Sequence, residues 1–236
     1  MGLITFMLSL FGCRKSKNEA QEQKPTADPR KEKTEAKLKA LGIPVNPWLP
    51  RMETEEEVQI RDAKDVARRV IILYAVGSVV FEGGREESIK FLKEAGLWDY
   101  VSPSEVAFLE NQKPSEQETA DVIWRMEALW MLLWAMGKVK ELDLPTKPCD
   151  LDMIHELVPK RAEVAQYINS ATLKTKSEIL DHTDMIYRIH WAVRDAQLNK
   201  KPIPAGLDAD VVVERHYALN WLVFYADDWD DITTDT

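Results

Sequence analysis

Between Val122 and Met136 the chain carries two charges, Arg125 and Glu127, and every other residue is apolar. A helix that is apolar on nearly every side has to be enclosed by other elements, so this stretch predicts a central core helix. Ser115-Glu116-Gln117-Glu118 supplies its start and Gly137-Lys138 its end. Trp124, Trp130 and Trp134 lie along it, and such wide aromatic surfaces fit between packed helices.

The neighbours of that helix read as helices too. Only nine glycines occur in 236 residues, so few positions can need a left-handed backbone, and a turn-rich β fold is disfavoured. The pattern predicts helix near Glu32–Leu41, stopped by Gly42. An extended strap follows through Pro44, Pro47 and Pro50. Thr54 and Glu57 fit a capping box, which predicts a helix from there to about Val76. Gly83-Gly84 breaks the chain, a short helix spans 86–95 before Gly96, and Ser102-Pro103 opens another. Beyond a loop with Pro145 and Pro148, weaker helices are expected near 150–158 and 161–170. Stronger ones are expected near 175–198 and 208–227. No convincing strand and no fixed-period repeat is found.

The first residues are different. Gly2–Gly12 are nearly all apolar, but the run is shorter than the roughly 20 residues that span a bilayer. Arg14, Lys15 and Lys17 follow it and no basic residue precedes it. That order suits a peripheral anchor, residues 1–17 meeting an anionic cytoplasmic membrane face, with Cys13 open to lipidation. A lipoprotein signal cut before Cys13 is the alternative, although it lacks the positive start. A leader with no role is the third. Residues 14–36 hold no large apolar residue and read as a charged, disordered linker. The expected organisation is an apolar segment at 1–13, the linker at 14–36, and one all-α, bundle-like domain at 37–236.

Composition and motifs narrow function mainly by exclusion. The net charge of −9 disfavours nucleic acid as a partner. Cys13 and Cys149 are the only cysteines, too few for a zinc framework and poorly placed for a disulfide, which fits a reducing compartment. No dinucleotide fingerprint, P-loop, nucleophile elbow, HExxH or kinase set is present. No cofactor is expected. Asp227, Asp228, Asp230 and Asp231 flank Trp229 but lack the glycine and glutamate of a calcium loop. Trp229 is expected to tuck back while the acids stay solvated.

Polar residues on apolar faces are the candidate site. Glu127 shares a face with Ile123, Trp124, Met131 and Trp134, and must be paired or neutralised there. Arg125 is placed to meet Asp121 one turn back. Asp184 and Arg188 form a helical ion pair, and His190 sits among apolar residues. Glu214, Arg215, His216 and Asn220 intrude on apolar stripes of the last helix. Such a network specifies packing or forms a site, and the sequence leaves that choice open.

Several of these positions carry a resemblance. The strap Gly42-Ile43-Pro44-Val45-Asn46 with Leu49-Pro50, Trp124-Arg125-Met126-Glu127-Ala128, and Tyr187-Arg188-Ile189-His190-Trp191-Ala192 are similar to a bacterial family, domain of unknown function 4272. Glu214-Arg215-His216 with Ala218-Leu219-Asn220-Trp221-Leu222 and Trp229-Asp230-Asp231 fit it as well. The resemblance covers about residues 35–236 and implies a bacterial, intracellular domain, with no activity to transfer. The first expectation is therefore a non-enzymatic interaction or regulatory module with a protein partner, cytoplasmic and peripheral to the membrane. The alternative is an enzyme or a binder of a small anionic ligand, with Glu127 or Glu214 as base and arginines as anion clamps. A stress- or immunity-type protein that binds one partner is a third.

Overall fold

A computed structural model describes residues 28–236. Residues 1–13, with the anchor and Cys13, and most of the charged linker lie outside the described residues. The described chain is all-α, without a strand.

The first helix, α1 (Pro29–Ala40), begins inside the segment read as linker. Asp28 accepts from the Lys31 amide as N-cap, and Pro29 holds the first helical position. The linker reading rested on missing apolar residues, but here charges are buried in partnership. Arg30 Nε lies 2.7 Å from Asp181, and Lys31 Nζ donates to the Pro47 and Leu49 carbonyls, both at 2.6 Å. Gly42 ends the helix with φ +72°. The strap follows as expected, with Ile43 and Leu49 buried.

The predicted capping box at Thr54 exists only as a turn. The Thr54 amide donates to Glu57, but helix does not follow. Glu55, Glu56 and Glu57 offer no apolar face, and the Arg61 amide is drawn to the Leu222 carbonyl instead. The helix α2 (Ala63–Phe81) starts where Asp62 caps it and where the apolar period begins at Val66.

Next come α3 (Arg85–Glu94), α4 (Pro103–Glu110) and the long α5 (Glu116–Ala135). Full capping boxes open α4 at Ser102 and α5 at Ser115. The chain continues through α6 (Leu151–Leu157), α7 (Val164–Asn169), α8 (Lys176–Leu198, boxed by Thr175 and Glu178) and α9 (Ala209–Leu222).

α5 lies between α2 and α9, α8 packs on α9, and α1 covers α8. The hub is therefore where the tryptophan-rich stretch predicts it. It is confined to Met126–Met136, because Val122, Ile123, Trp124 and Arg125 are only partly covered. At the α2–α5 crossing, a Cβ on Gly77 would stand 2.6 Å from Met126 Cε, so a glycine permits the close approach.

α9 stops at Leu222 rather than near Asp227. Phe224 adopts φ +57° and the chain reverses. Arg61 holds the reversal, Nε donating to the Trp221 carbonyl (2.6 Å) and Nη2 to those of Ala226 and Asp227 (both 2.7 Å). Trp229 is thereby folded back edge-on against Tyr217 and Trp221, as expected.

Candidate functional site

The polar residues singled out in the sequence are not one cluster. Arg188 is closed in the core: Nε and Nη2 reach Asp184 Oδ1 at 3.0 and 2.8 Å, and Nη2 also donates to the Pro50 carbonyl. Its Nη1 lies 3.6 Å from Glu35. The group binds strap and α1 to α8. His190 and His216 face one another, Nδ1 to Nδ1 at 2.8 Å, so one ring donates and the other accepts. Burial pushes His190 down to about 4 and His216 to about 3, each aided by a neighbouring cation or ring, which keeps the pair neutral.

Glu127 is held by an arginine of another helix, as a structural role requires. Arg215 Nε lies 3.5 Å away, and the Cys149 amide donates to the other carboxylate oxygen. Asn220 Nδ2 donates to the Thr233 carbonyl and ties down the C-terminal strand of coil (2.8 Å). These are three closed packing devices and one tether.

Glu214 is the exception. It turns away from Arg215 and His216 toward a cavity of about 440 Å³ bounded by α2, α4, α5, α9 and the Trp229 turn. Arg125 crosses the floor. Its Nη1 donates to both Glu214 oxygens, at 2.8 and 2.7 Å, rather than to Asp121 as the helical spacing predicts. A carboxylate from α9 outcompetes the exposed residue one turn back because it is itself largely desolvated and needs a charge partner. The same guanidinium lies 3.7 Å above the Tyr217 ring. Leu73, Val76, Phe108 and Trp229 supply apolar wall, giving the mixture of greasy lining and few fixed polar groups that binding clefts use.

The electrostatics of the cleft are lopsided. Arg69 neutralises Glu105 and Arg125 neutralises Glu214. Glu118, Asp121 and Asp230 also line it, and among the described residues no lysine or arginine forms a salt bridge with any of them. Burial raises the Glu214 carboxyl, with Asp121 and Glu127 adding to the rise against Arg125. Burial pulls Arg125 down, yet Glu214, Tyr217 and Asp121 together hold it above its usual value. Burial is the first cause at Glu214, and at Arg125 the paired Glu214 carboxylate is the first cause of the rise. Burial opposes ionisation of Asp230, but the Ser104 amide (2.8 Å) and hydroxyl (2.7 Å) outweigh it and hold this carboxyl low. The acids around Trp229 are thus not all idle in solvent, since Asp230 accepts from Ser104 in the first turn of α4.

The cleft has two hydroxyls. Ser104 donates to Asp230 and Tyr217 to the Trp229 carbonyl, and burial raises the Tyr217 phenol to about 12. The lining holds no histidine or cysteine. Among the described residues no group of three or more histidine, cysteine or acidic side chains is placed to hold a metal ion.

The family model for a domain of unknown function, DUF4272, matches residues 30–232. The chain belongs to the DUF4272 family. No curated protein and no solved structure matches it. The DUF4272 match begins within α1 and ends just past the Trp229 turn, so it takes in both the strap and every wall of the cleft. Sequence reasoning found Glu214 but missed Arg125 as its partner, and it missed Phe108 and Tyr217 altogether. The detectable signal was Arg125 itself, a charge inside an otherwise apolar run.

Proposed function

We propose that this DUF4272 chain is a non-enzymatic interaction module whose cleft receives a positively charged side chain of a protein partner. The observation that carries it is the Arg125–Glu214 floor beneath three further carboxylates, Glu118, Asp121 and Asp230, which make no salt bridge among the described residues. A lysine or arginine brought there would meet these acids beside the Phe108 and Trp229 rings, which already carry Arg85 and Arg69, each at 4.8 Å. An enzyme built from the buried Glu/His/Arg set has less support, because Arg188, the His190–His216 pair and Glu127 with Arg215 make three separate contacts rather than one cluster.

The proposal includes a bacterial, cytoplasmic setting, with residues 1–17 meeting the inner membrane face. Its support is the apolar-then-basic order of Gly2–Lys17. No helix among the described residues is long and apolar enough to cross a membrane.

The test is a paired capture from the native host with cross-linking. One bait is the native chain and the other carries Glu118→Lys and Asp121→Lys. The proposal expects a partner lost from the second bait and cross-linked near the cleft through a basic segment. A partner retained equally by both baits, or cross-linked elsewhere, refutes it.

A further inference from the structure

Just past the end of α1 stands an exposed leucine. Leu41 is 40% exposed and forms one wall of a groove of about 200 Å³, bounded by the last turn of α1, α8, α9 and the loop through Leu142 and Pro145. Leu142, Leu144, Met185 and Ile189 supply further walls, the first three of them only partly covered. The charges around the groove cancel. Arg215 at its base is compensated by Glu127, 3.5 Å from its Nε, and Lys37 and Asp143 oppose one another at the exposed edge. Burial drives His182 toward neutrality. The groove therefore suits an uncharged, apolar occupant.

The chain itself supplies one. Gly2–Gly12 hold two phenylalanines, three leucines, an isoleucine and a methionine, and no charged residue. Residues 13–27, which read as linker in the sequence, join this segment to Asp28, the N-cap of α1. Fifteen residues of coil have a root-mean-square span of about 20 Å. The path from Asp28 along α1 to Leu41 is also about 20 Å, at a rise of about 1.5 Å per residue. The tether thus matches the distance to the groove, the condition that makes effective concentration highest, at about millimolar. Size limits what enters. Taking about 30 Å³ for each non-hydrogen atom, the volume holds about seven, the side chain of one phenylalanine.

We infer that the groove receives the ring of Phe6 or Phe11 from the same chain whenever the N-terminal segment is not in a membrane. The groove contact stands by itself, while its exclusion by the membrane rests on the proposed anchor. The segment cannot lie in lipid and in the groove together, so the contact covers its apolar residues in the unattached protein and has to break for attachment. One ring at about millimolar effective concentration makes a marginal contact. Populated in about half of the molecules, it shifts the folding equilibrium only about twofold and the thermal midpoint by about 1 °C.

The test places a nitroxide on Cys13 of the full chain, with Cys149→Ala leaving a single thiol. Paramagnetic broadening registers even a partly populated contact. The methyl signals followed are those of Ile186 and Ile189, with Ile72 on α2, separated from α8 by α5 and α9, as control. The inference expects Ile186 and Ile189 to lose at least half of their intensity relative to the same chain with the label reduced, while Ile72 keeps its own. Leu41→Glu, at an exposed position, should restore both signals, and so should Phe6→Ser with Phe11→Ser. Phosphatidylglycerol vesicles should abolish the broadening as the chain sediments with them. Broadening no stronger than at Ile72, broadening indifferent to Leu41→Glu, or broadening passed to an isotope-labelled copy that carries no nitroxide would each overturn the inference. Broadening that persists in chains sedimented with vesicles would overturn the exclusion. A groove contact in chains that do not sediment would refute the anchor and leave the contact standing.

Discussion

Arg125 on α5 and Glu214 on α9 are joined through a single guanidinium nitrogen that lies 2.8 and 2.7 Å from the two carboxylate oxygens. The contact ties the exposed end of the core helix to the last helix where both line the cleft. Arg125→Met alone leaves Glu214 largely buried without its partner and should cost about 2 kcal/mol, below the full cost for a closed pair because Arg125 keeps some solvent contact. Glu214→Gln should cost less. The double variant should be more stable than the sum of the single ones implies, with a coupling of about 1–2 kcal/mol in urea denaturation.

The strap depends on a different set of charges. Arg188 binds Asp184 and the Pro50 carbonyl and lies near Glu35, while Lys31 holds the Pro47 and Leu49 carbonyls. Arg188→Met strands Asp184, which is fully buried, and should lower stability by about 3–5 kcal/mol. The strap should loosen first, so limited proteolysis is expected to cut within residues 43–50 in the variant and not in the native chain.

These contacts show why the sequence was legible in some places and not in others. Capping boxes at Ser102, Ser115 and Thr175 are local, and each is followed by residues with an apolar face, so each opens a helix. Thr54 and Glu57 carry the same local signal, but the next apolar face begins only at Val66, and the signal closes a turn instead. The hub was legible because apolar residues on every side leave one solution. Partners distant in the chain were not. Arg125 could be matched by spacing only to Asp121, and His190 and His216 gave no hint that they meet. The start of α1 was hidden for a related reason, since its buried side chains are charged and find their partners at Pro47, Leu49 and Asp181.

The histidine pair sets an acid limit. Burial lowers His190 to about 4 and His216 to about 3, from an ordinary 6.5 that applies once the chain unfolds. Between those values the unfolded chain binds more protons than the folded one, so stability falls as pH drops below about 6.5 and keeps falling toward 4. Each histidine contributes a slope of up to about 1.4 kcal/mol per pH unit in that window. His182, also lowered by burial, acts in the same direction. Replacing both members of the pair, His190→Gln with His216→Leu, should flatten the decline between pH 6.5 and 5 in urea titrations at several pH values, leaving the part due to His182.

The proposed membrane attachment can be tested apart from the cleft. The proposed anchor lies within residues 1–17, outside the family match at 30–232. Deleting residues 1–13 should move the protein from the membrane fraction to the soluble fraction without changing the midpoint of thermal unfolding. An unchanged distribution would remove the anchor from the account.

The most direct measurement concerns the cleft. With the Ser104 amide and the Trp229 indole followed by NMR, the full chain is titrated with N-acetyl-arginine methylamide at low salt, alongside the Glu118→Lys, Asp121→Lys variant. A cleft that receives a cationic side chain predicts saturable shifts at both groups that weaken with added salt and vanish in the variant. Shifts that persist in the variant, or none in the native chain, would contradict it.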